Sequence, residues 1–200
     1  DHNAFRRENG IPEDRCIVMY SGNLGEKQGV EIIVEVSALL QNHAEICVVV
    51  VGDGVAKDDM VAMTAGLQLR NIIFLPVQPR EKLPSMLQAA DLHLVIQKQE
   101  TFTSVLPSKL ANIFAAGRPC IVTAGEGTDL EVVVSSNALG LAVEPDNAAE
   151  LSEAIIRLVA DNTCLAEMGK NAREYAIKQL DMDQILSRLE QSLESYLREN

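Results

Sequence analysis

The chain has 200 residues, of which 47% are hydrophobic, 23% charged and 4% aromatic. That is enough for one domain whose core needs no disulfide or metal, and too apolar for a disordered or collagen-like chain. Twenty-nine acids against 17 bases leave a formal charge of −12, which argues against duplex nucleic acid and anionic membrane as general partners.

Short apolar runs alternate with helical periodicity. A run from Cys16 to Tyr20 stops at Ser21-Gly22, and Val30, Ile33, Val36 and Leu40 then share one helix face. Ile46 to Val51 is a β-branched run closed by Gly52-Asp53-Gly54, and a helical stretch at about Asp58 to Leu69 leads into the run Ile72 to Leu75. Leu83, Met86, Leu87 and Ala90 mark a third helix before the run Leu92 to Ile96. Leu110, Ile113 and Phe114 mark a fourth, ending at Gly117, and Pro119 precedes the run Cys120 to Thr123. A helix near Asp129 to Ser135 and the run Leu139 to Val143 complete the series. About six near-continuous apolar strands alternating with helices predict an α/β fold, a Rossmann-like doubly wound parallel sheet buried on both faces.

From about Ala148 the pattern is helical only, with Met182, Ile185, Leu186, Leu189, Leu193, Tyr196 and Leu197 in one apolar stripe. Acids dominate the opposite face, where Arg188 and Arg198 alone are basic, so a membrane-lying helix fits poorly. No apolar run approaches the roughly 20 residues that span a bilayer, and the polar opening from Asp1 to Gly10 is no secretory signal. The first residue is Asp rather than Met, and the chain reads as a piece of a longer protein. Cys16, Cys47, Cys120 and Cys164 form no C-x-x-C and read as reduced structural thiols of a cytoplasmic protein. His2, His43 and His93 lack metal-ligand spacing, so no metal site is expected.

In an open parallel sheet, ligands bind beyond the carboxyl ends of the strands. The first such turn, Ser21 to Gly29, holds Gly22, Gly25 and Gly29. Glycines there let the backbone approach a ligand and turn its N–H groups toward a phosphate, although the same residues also suit a plain turn. The second turn runs from Thr101 into Pro107-Ser108, a good helix start. Lys109 then falls in a first helical turn, where a cation opposes the helix dipole, and Lys27 lies near the start of the first helix in the same way. Two such lysines on the ligand edge fit a multiply charged anion; solvated surface lysines are the plain alternative. The third turn, Gly52-Asp53-Gly54, lacks G-x-G-x-x-G, and the chain has neither a P-loop nor a G-x-S-x-G elbow. The NAD, ATPase and serine-nucleophile readings therefore fall.

Several stretches together resemble a known family: Tyr20-Ser-Gly-Asn-Leu-Gly25 with Gln28-Gly29, Val51-Gly-Asp-Gly54, Asn71-Ile-Ile-Phe-Leu75, Ala90-Asp91-Leu92, Leu106-Pro-Ser-Lys-Leu110 and Ala116-Gly-Arg-Pro119. Glu131-Val-Val133 and Gly140-Leu-Ala-Val-Glu-Pro145 continue the match, which covers about Arg15 to Ala160. The chain is similar to the C-terminal, nucleotide-sugar-binding half of a GT-B glycosyltransferase of the group 1, glycogen-synthase-like family. The Gly-Asn-Leu-Gly and Leu-Pro-Ser-Lys-Leu wording resembles the branch that builds bacterial surface polysaccharides, colanic-acid-type transferases included.

The resemblance implies one donor-binding domain over residues 1–200, with a core at about 15–160, C-terminal helices at about 161–200, and an N-terminal acceptor domain missing from the chain. It implies retaining transfer of a sugar from a nucleoside-diphosphate sugar to a saccharide or lipid-linked acceptor, without a metal or other cofactor. The full-length enzyme would be cytoplasmic, peripheral at the inner membrane. The Gly22 to Gly25 turn would cradle the diphosphate, Lys109 would neutralise it, and Ser108 would hydrogen-bond a phosphate oxygen. Pro76, Val77 and Gln78 would hold the base. Lys109 and Asn23 are the catalytic candidates, with Lys27, Gln28, Gly52, Glu100, Thr103, Ser104 and Asn112 completing the donor set. In this chain the family's usual Arg of the first turn is replaced by Asn23 and its usual Lys by Gln28. The usual acidic pair of the second turn is replaced by Ser104 and Asn112, with Glu100 as a substitute carboxylate. A nucleotide-sugar epimerase half and a non-catalytic nucleotide-binding module are the alternatives.

Overall fold

The computed structural model describes residues 2–98 and 106–199. Its centre is a six-stranded, all-parallel sheet in the order β3-β2-β1-β4-β5-β6. The strands are β1 (Cys16–Asn23), β2 (Ile46–Asp53), β3 (Ile72–Leu75), β4 (Leu92–Val95), β5 (Cys120–Thr123) and β6 (Gly140–Val143). The helices are α1 (His2–Glu8), α2 (Ile32–Leu39), α3 (Lys57–Gly66), α4 (Leu83–Ala89), α5 (Lys109–Ala115), α6 (Asp129–Ser136), α7 (Ala148–Val159), α8 (Asn162–Tyr175) and α9 (Met182–Glu199). This is the doubly wound fold that the strand and helix runs predict. Chain order reverses between β1 and β4, which makes the space beyond their carboxyl ends the topological switch point.

The two faces of the sheet explain the unbroken apolar strands. Val18 and Tyr20 of β1 and Val48 and Val50 of β2 pack with α2, α3 and α7 on one face. Ile17, Met19, Cys47, Val49 and Val51 point the other way, into a second core with α1, α4, α5 and α6. Successive strand side chains alternate between faces, so a strand covered on both sides is apolar at nearly every position, and the buried polar residues His93 of β4 and Thr123 of β5 each have a hydrogen-bond partner.

Four features differ from the sequence-based expectation. β1 and β2 continue past Tyr20 and Val51, through the supposed turn residues, and pair Gly22 with Gly52 and Asn23 with Asp53. The first expected helix, α2, begins at Ile32 rather than at Val30, and a separate 3-10 turn, Glu26–Gln28, precedes it; Lys27 is therefore outside the first turn of that helix. The polar opening forms α1, which packs on α4 with Phe5 and Arg6 only 2% and 5% exposed. The packed core also exceeds the expected 15–160, because Phe5 and Ile11 precede it and Leu165, Ala172 and Ala176 follow it. Edge-to-face stacking of Phe114 on Tyr175 ties α8 to α5.

Among the described residues no helix is long and apolar enough to cross a membrane. The stripe of α9 is uncovered: Met182, Ile185, Leu186, Leu189, Leu193 and Tyr196 are all exposed.

One ion pair holds α1 against the amino edge of the sheet. The Arg6 guanidinium donates to Asp91 Oδ2 at 2.8 Å and to the carbonyls of Ala89 and Arg15, and the same Asp91 oxygen accepts from the Ile17 amide at 2.8 Å. Removing one partner strands the other in a largely dry site. Arg6→Ala and Asp91→Ala are each expected to cost about 3 kcal/mol of unfolding free energy, with the double variant costing clearly less than the sum. Urea titration of the four proteins measures this.

Candidate functional site

Two cavities open at the carboxyl edge of the sheet, and both are lined by Asn23 and Lys109. The larger, about 460 Å³, lies beyond β1 and β2; Gly22, Gly52, Val77, Gln78 and Asn112 are among its lining residues. Leu83, Met86 and Leu87 of α4 give it an apolar wall. The smaller, about 250 Å³, lies at the switch point, between Tyr20 and Gln28 on one side and Val95, Pro107 and Ser108 on the other.

Lys109 stands where the two meet. Its Nζ lies 4.2 Å from the centroid of the Tyr20 ring, and a Cβ on Gly22 would fall 2.8 Å from that nitrogen. Gly22 has φ +149°, a region L side chains rarely adopt, and Gly52 opposite it is closer still, with a virtual Cβ 2.0 Å from the Gly22 carbonyl oxygen. Glycine at both positions is therefore a packing requirement, and it leaves the ammonium room against bare backbone. Burial drives the Lys109 pKa down from 10.5 to about 8. Among the described residues no carboxylate pairs with it. The Tyr20 ring attracts the cation through its quadrupole without neutralising it. Tyr20 is itself fixed: it is fully buried and its hydroxyl donates to the Asn23 carbonyl at 2.8 Å.

The glycine turn is laced to its neighbour. Leu24 N–H donates to the Asp53 carbonyl and Ala56 N–H to the Leu24 carbonyl, while Asp53 Oδ1 accepts from Gly54 N–H at 3.0 Å and lies 3.6 Å from Lys57 Nζ. Around Gly25 the side-chain amides of Asn23 and Gln28 converge, at 2.9 and 2.5 Å from its virtual Cβ. Gln28 Oε1 is buried there without a hydrogen-bond partner among the described residues.

Most of the predicted set thus comes together. Gly22, Asn23, Gln28, Gly52, Val77, Gln78, Ser108, Lys109 and Asn112 line one or both cavities. Gly25 stands behind Gln28 rather than in a wall, and Pro76 is not a lining residue, although its carbonyl accepts from Gln78 Nε2 at 2.9 Å. The backbone of Lys27 lies in the 3-10 turn Glu26–Gln28. Glu100, Thr103 and Ser104 lie outside the described residues. Ser108 occupies the N-cap position of α5 in an αR conformation and makes no capping bond with its side chain. Tyr20 and the Leu83, Met86 and Leu87 wall were read from the sequence only as core. An aromatic residue at the end of an apolar strand, just before Ser-Gly, was the available signal for Tyr20.

The sequence pattern of the glycosyl transferases group 1 family matches residues 1–175. The chain belongs to this family. Among its group 1 relatives, Escherichia coli K12 WcaI, named as a colanic acid biosynthesis glycosyl transferase, is 35% identical over 187 residues, which are 93% of this chain and 45% of that protein. The crystal structure of Anabaena HepE in complex with UDP superposes with a TM-score of 0.78 at 19% identity, over 97% of this chain and 52% of that one. The C-terminal domain of a group 1 protein, LpcC from Francisella tularensis, superposes with a TM-score of 0.73 at 17% identity, over 91% of this chain and 94% of that one. These structural likenesses establish the shared fold. The chain spans about half the length of the curated relatives it matches.

The depressed pKa of Lys109 links its charge to stability. The folded state holds this proton less tightly than the unfolded state, so the penalty is complete below pH 8 and disappears as pH rises through 10.5. Lys109→Met is expected to raise unfolding free energy at pH 7 by on the order of 1–2 kcal/mol. That gain shrinks between pH 8 and 10.5, as urea titration at several pH values would read out.

Proposed function

We propose that this chain is the donor-binding half of a retaining glycosyltransferase. The complete enzyme moves a sugar from a nucleoside-diphosphate sugar to a growing surface polysaccharide or lipid-linked oligosaccharide. The observation that carries this reading is the half-buried Lys109 ammonium, unneutralised among the described residues and facing bare glycine backbone where two cavities meet.

The chemistry follows from charge. The bond between the anomeric carbon and the diphosphate oxygen breaks, and the electron pair leaves with the diphosphate. The acceptor hydroxyl oxygen bonds to that carbon on the face the diphosphate left and gives up its proton. Charge therefore accumulates on the diphosphate in the transition state, and a preorganised cation in a site shielded from water stabilises it without a metal. Lys109 supplies that cation, the backbone of Gly22 lets the phosphates come close, and Ser108 donates to a phosphate oxygen. Asn23 Nδ2 donates to the same group. Gln28 Oε1, an acceptor without a partner among the described residues, takes a hydroxyl hydrogen of the sugar. The nucleoside lies along the larger cavity, with Val77 and Gln78 at the base and Asn112 at the ribose.

The acceptor and the remaining catalytic groups belong to the other half, so this chain alone binds donor and turns over nothing. The exposed apolar face of α9 is where that other half packs. Such a stripe on an acidic helix is suited to protein rather than to membrane.

Calorimetric titration with UDP, GDP, ADP, their sugar conjugates and NAD tests the donor site. One nucleoside diphosphate is expected to bind, and Lys109→Ala to weaken it at least roughly tenfold, the loss of one charge-assisted contact. Affinity is expected to fall as pH rises above 8, because the bound form must regain the proton that free Lys109 loses there. Binding of NAD with indifference to Lys109 would refute the reading.

A further inference from the structure

α4 is seven residues long, and the last carbonyls of so short a helix have no partner within it. Three of them are taken by side chains from three different elements. His93 Nε2 of β4 lies 3.0 Å from the Leu87 oxygen, Arg118 Nη2 of the α5–β5 turn donates to the Gln88 oxygen, and Arg6 Nε of α1 donates to the Ala89 oxygen at 2.8 Å. A carbonyl only accepts, so His93 carries its proton on Nε2. Two guanidinium groups at the negative end of the helix also oppose its dipole favourably. The other end of α4 lies at the carboxyl edge, where Leu83, Met86 and Leu87 wall the larger cavity. Leu87 belongs to both ends of the device: its carbonyl is clasped and its side chain lines the cavity.

We propose that Arg118 is a positioning residue for the nucleotide site, holding the Gln88 carbonyl so that the Leu83, Met86 and Leu87 wall stands at the distance that closes on the nucleoside. The inference rests on the donor-site reading above and adds to it the part of the chain that sets nucleoside affinity from the opposite edge of the sheet. Arg6 and His93 have other duties. Arg6 also binds Asp91 and the Arg15 carbonyl, and His93 is completely buried inside the sheet. Arg118 is half-buried, and among the described residues its hydrogen-bond partner is the Gln88 carbonyl. Its loss frees α4 at one point and leaves the core in place. The phosphate end of the site, around Lys109 and Gly22, is built from β1 and α5.

That separation defines the test. Affinities of the tightest of UDP, GDP and ADP, and of inorganic pyrophosphate, are measured for the unsubstituted chain, Arg118→Ala, Arg118→Lys and Lys109→Ala. Arg118→Ala is expected to weaken the nucleoside diphosphate about fivefold or more while pyrophosphate changes less than about twofold, the scale of one lost anchoring hydrogen bond. Arg118→Lys restores most of the loss, and Lys109→Ala weakens both ligands. Arg118→Gln, which keeps a shorter neutral donor, gives an intermediate ratio and serves where the Ala variant does not fold. Equal weakening of both ligands by the Arg118 variants, or of neither, overturns the inference while leaving the donor site standing. If the unsubstituted chain binds no nucleotide, the donor-site reading falls and this inference falls with it.

Discussion

An ammonium ion partly removed from water with no carboxylate beside it is unfavourable, and among the described residues the carboxyl edge of this sheet is arranged around one such ion, Lys109. Lys109 has lost enough hydration for its pKa to fall to about 8. Among the described residues its neighbours are an aromatic face and a glycine backbone, and no carboxylate pairs with it. Each neighbour depends on something further back. Tyr20 keeps its place because its hydroxyl is bonded to the Asn23 carbonyl. Gly22 can face the lysine because β1 and β2 run on in register until Gly22 meets Gly52. A side chain at either glycine would push two strand ends apart or displace the cation. The free energy that packing supplies elsewhere thus maintains a charge that a multiply charged ligand can use.

The two edges of the sheet divide the work. At the amino edge, charges are consumed internally: Arg6 meets Asp91, and Arg6, Arg118 and His93 saturate the end of α4. At the carboxyl edge, among the described residues, the Lys109 ammonium has no carboxylate partner and Gln28 Oε1 has no hydrogen-bond partner, although His93 Nδ1 and Asn71 Oδ1 are left unpaired elsewhere. This is the division expected of an open α/β sheet, whose loops at the carboxyl ends carry function. α4 spans both edges, with its last carbonyls bonded at one end and its apolar residues lining a cavity at the other.

Much of this was legible in the sequence, for physical reasons that also mark where legibility ends. Runs such as Ile46 to Val51 identify strands covered on both faces, because no half-exposed strand tolerates that composition. Lys109 stood out as a cation at a helix start. The continuation of β1 through Gly22 was not legible, since glycine reads as a turn signal and only strand pairing reveals it as extended backbone. α1 was missed because Phe5 is its one large apolar residue, too little for a periodicity. The partners of the α4 carbonyls were hidden as well: Arg6, His93 and Arg118 are far apart in sequence and converge only through the sheet.

The departures from the family pattern acquire a consequence once the geometry is known. Asn23 and Gln28 stand where the family pattern has two cations in the first turn, and their amides converge near Gly25, lining the smaller cavity together with Lys109. Among the described residues that line the two cavities, the half-buried Lys109 is the one cation, and on the proposed reading it is what meets the diphosphate. A buried charge is screened far less than a surface one. The surface acids behind the overall charge of −12 are largely screened at distances beyond the Debye length of about 8 Å at physiological salt. The local field of one desolvated lysine therefore outweighs the average field of the chain. The amides add direction without further charge: one donor and one acceptor, fixed by backbone packing, able to distinguish the oxygens of a phosphate from the hydroxyls of a sugar.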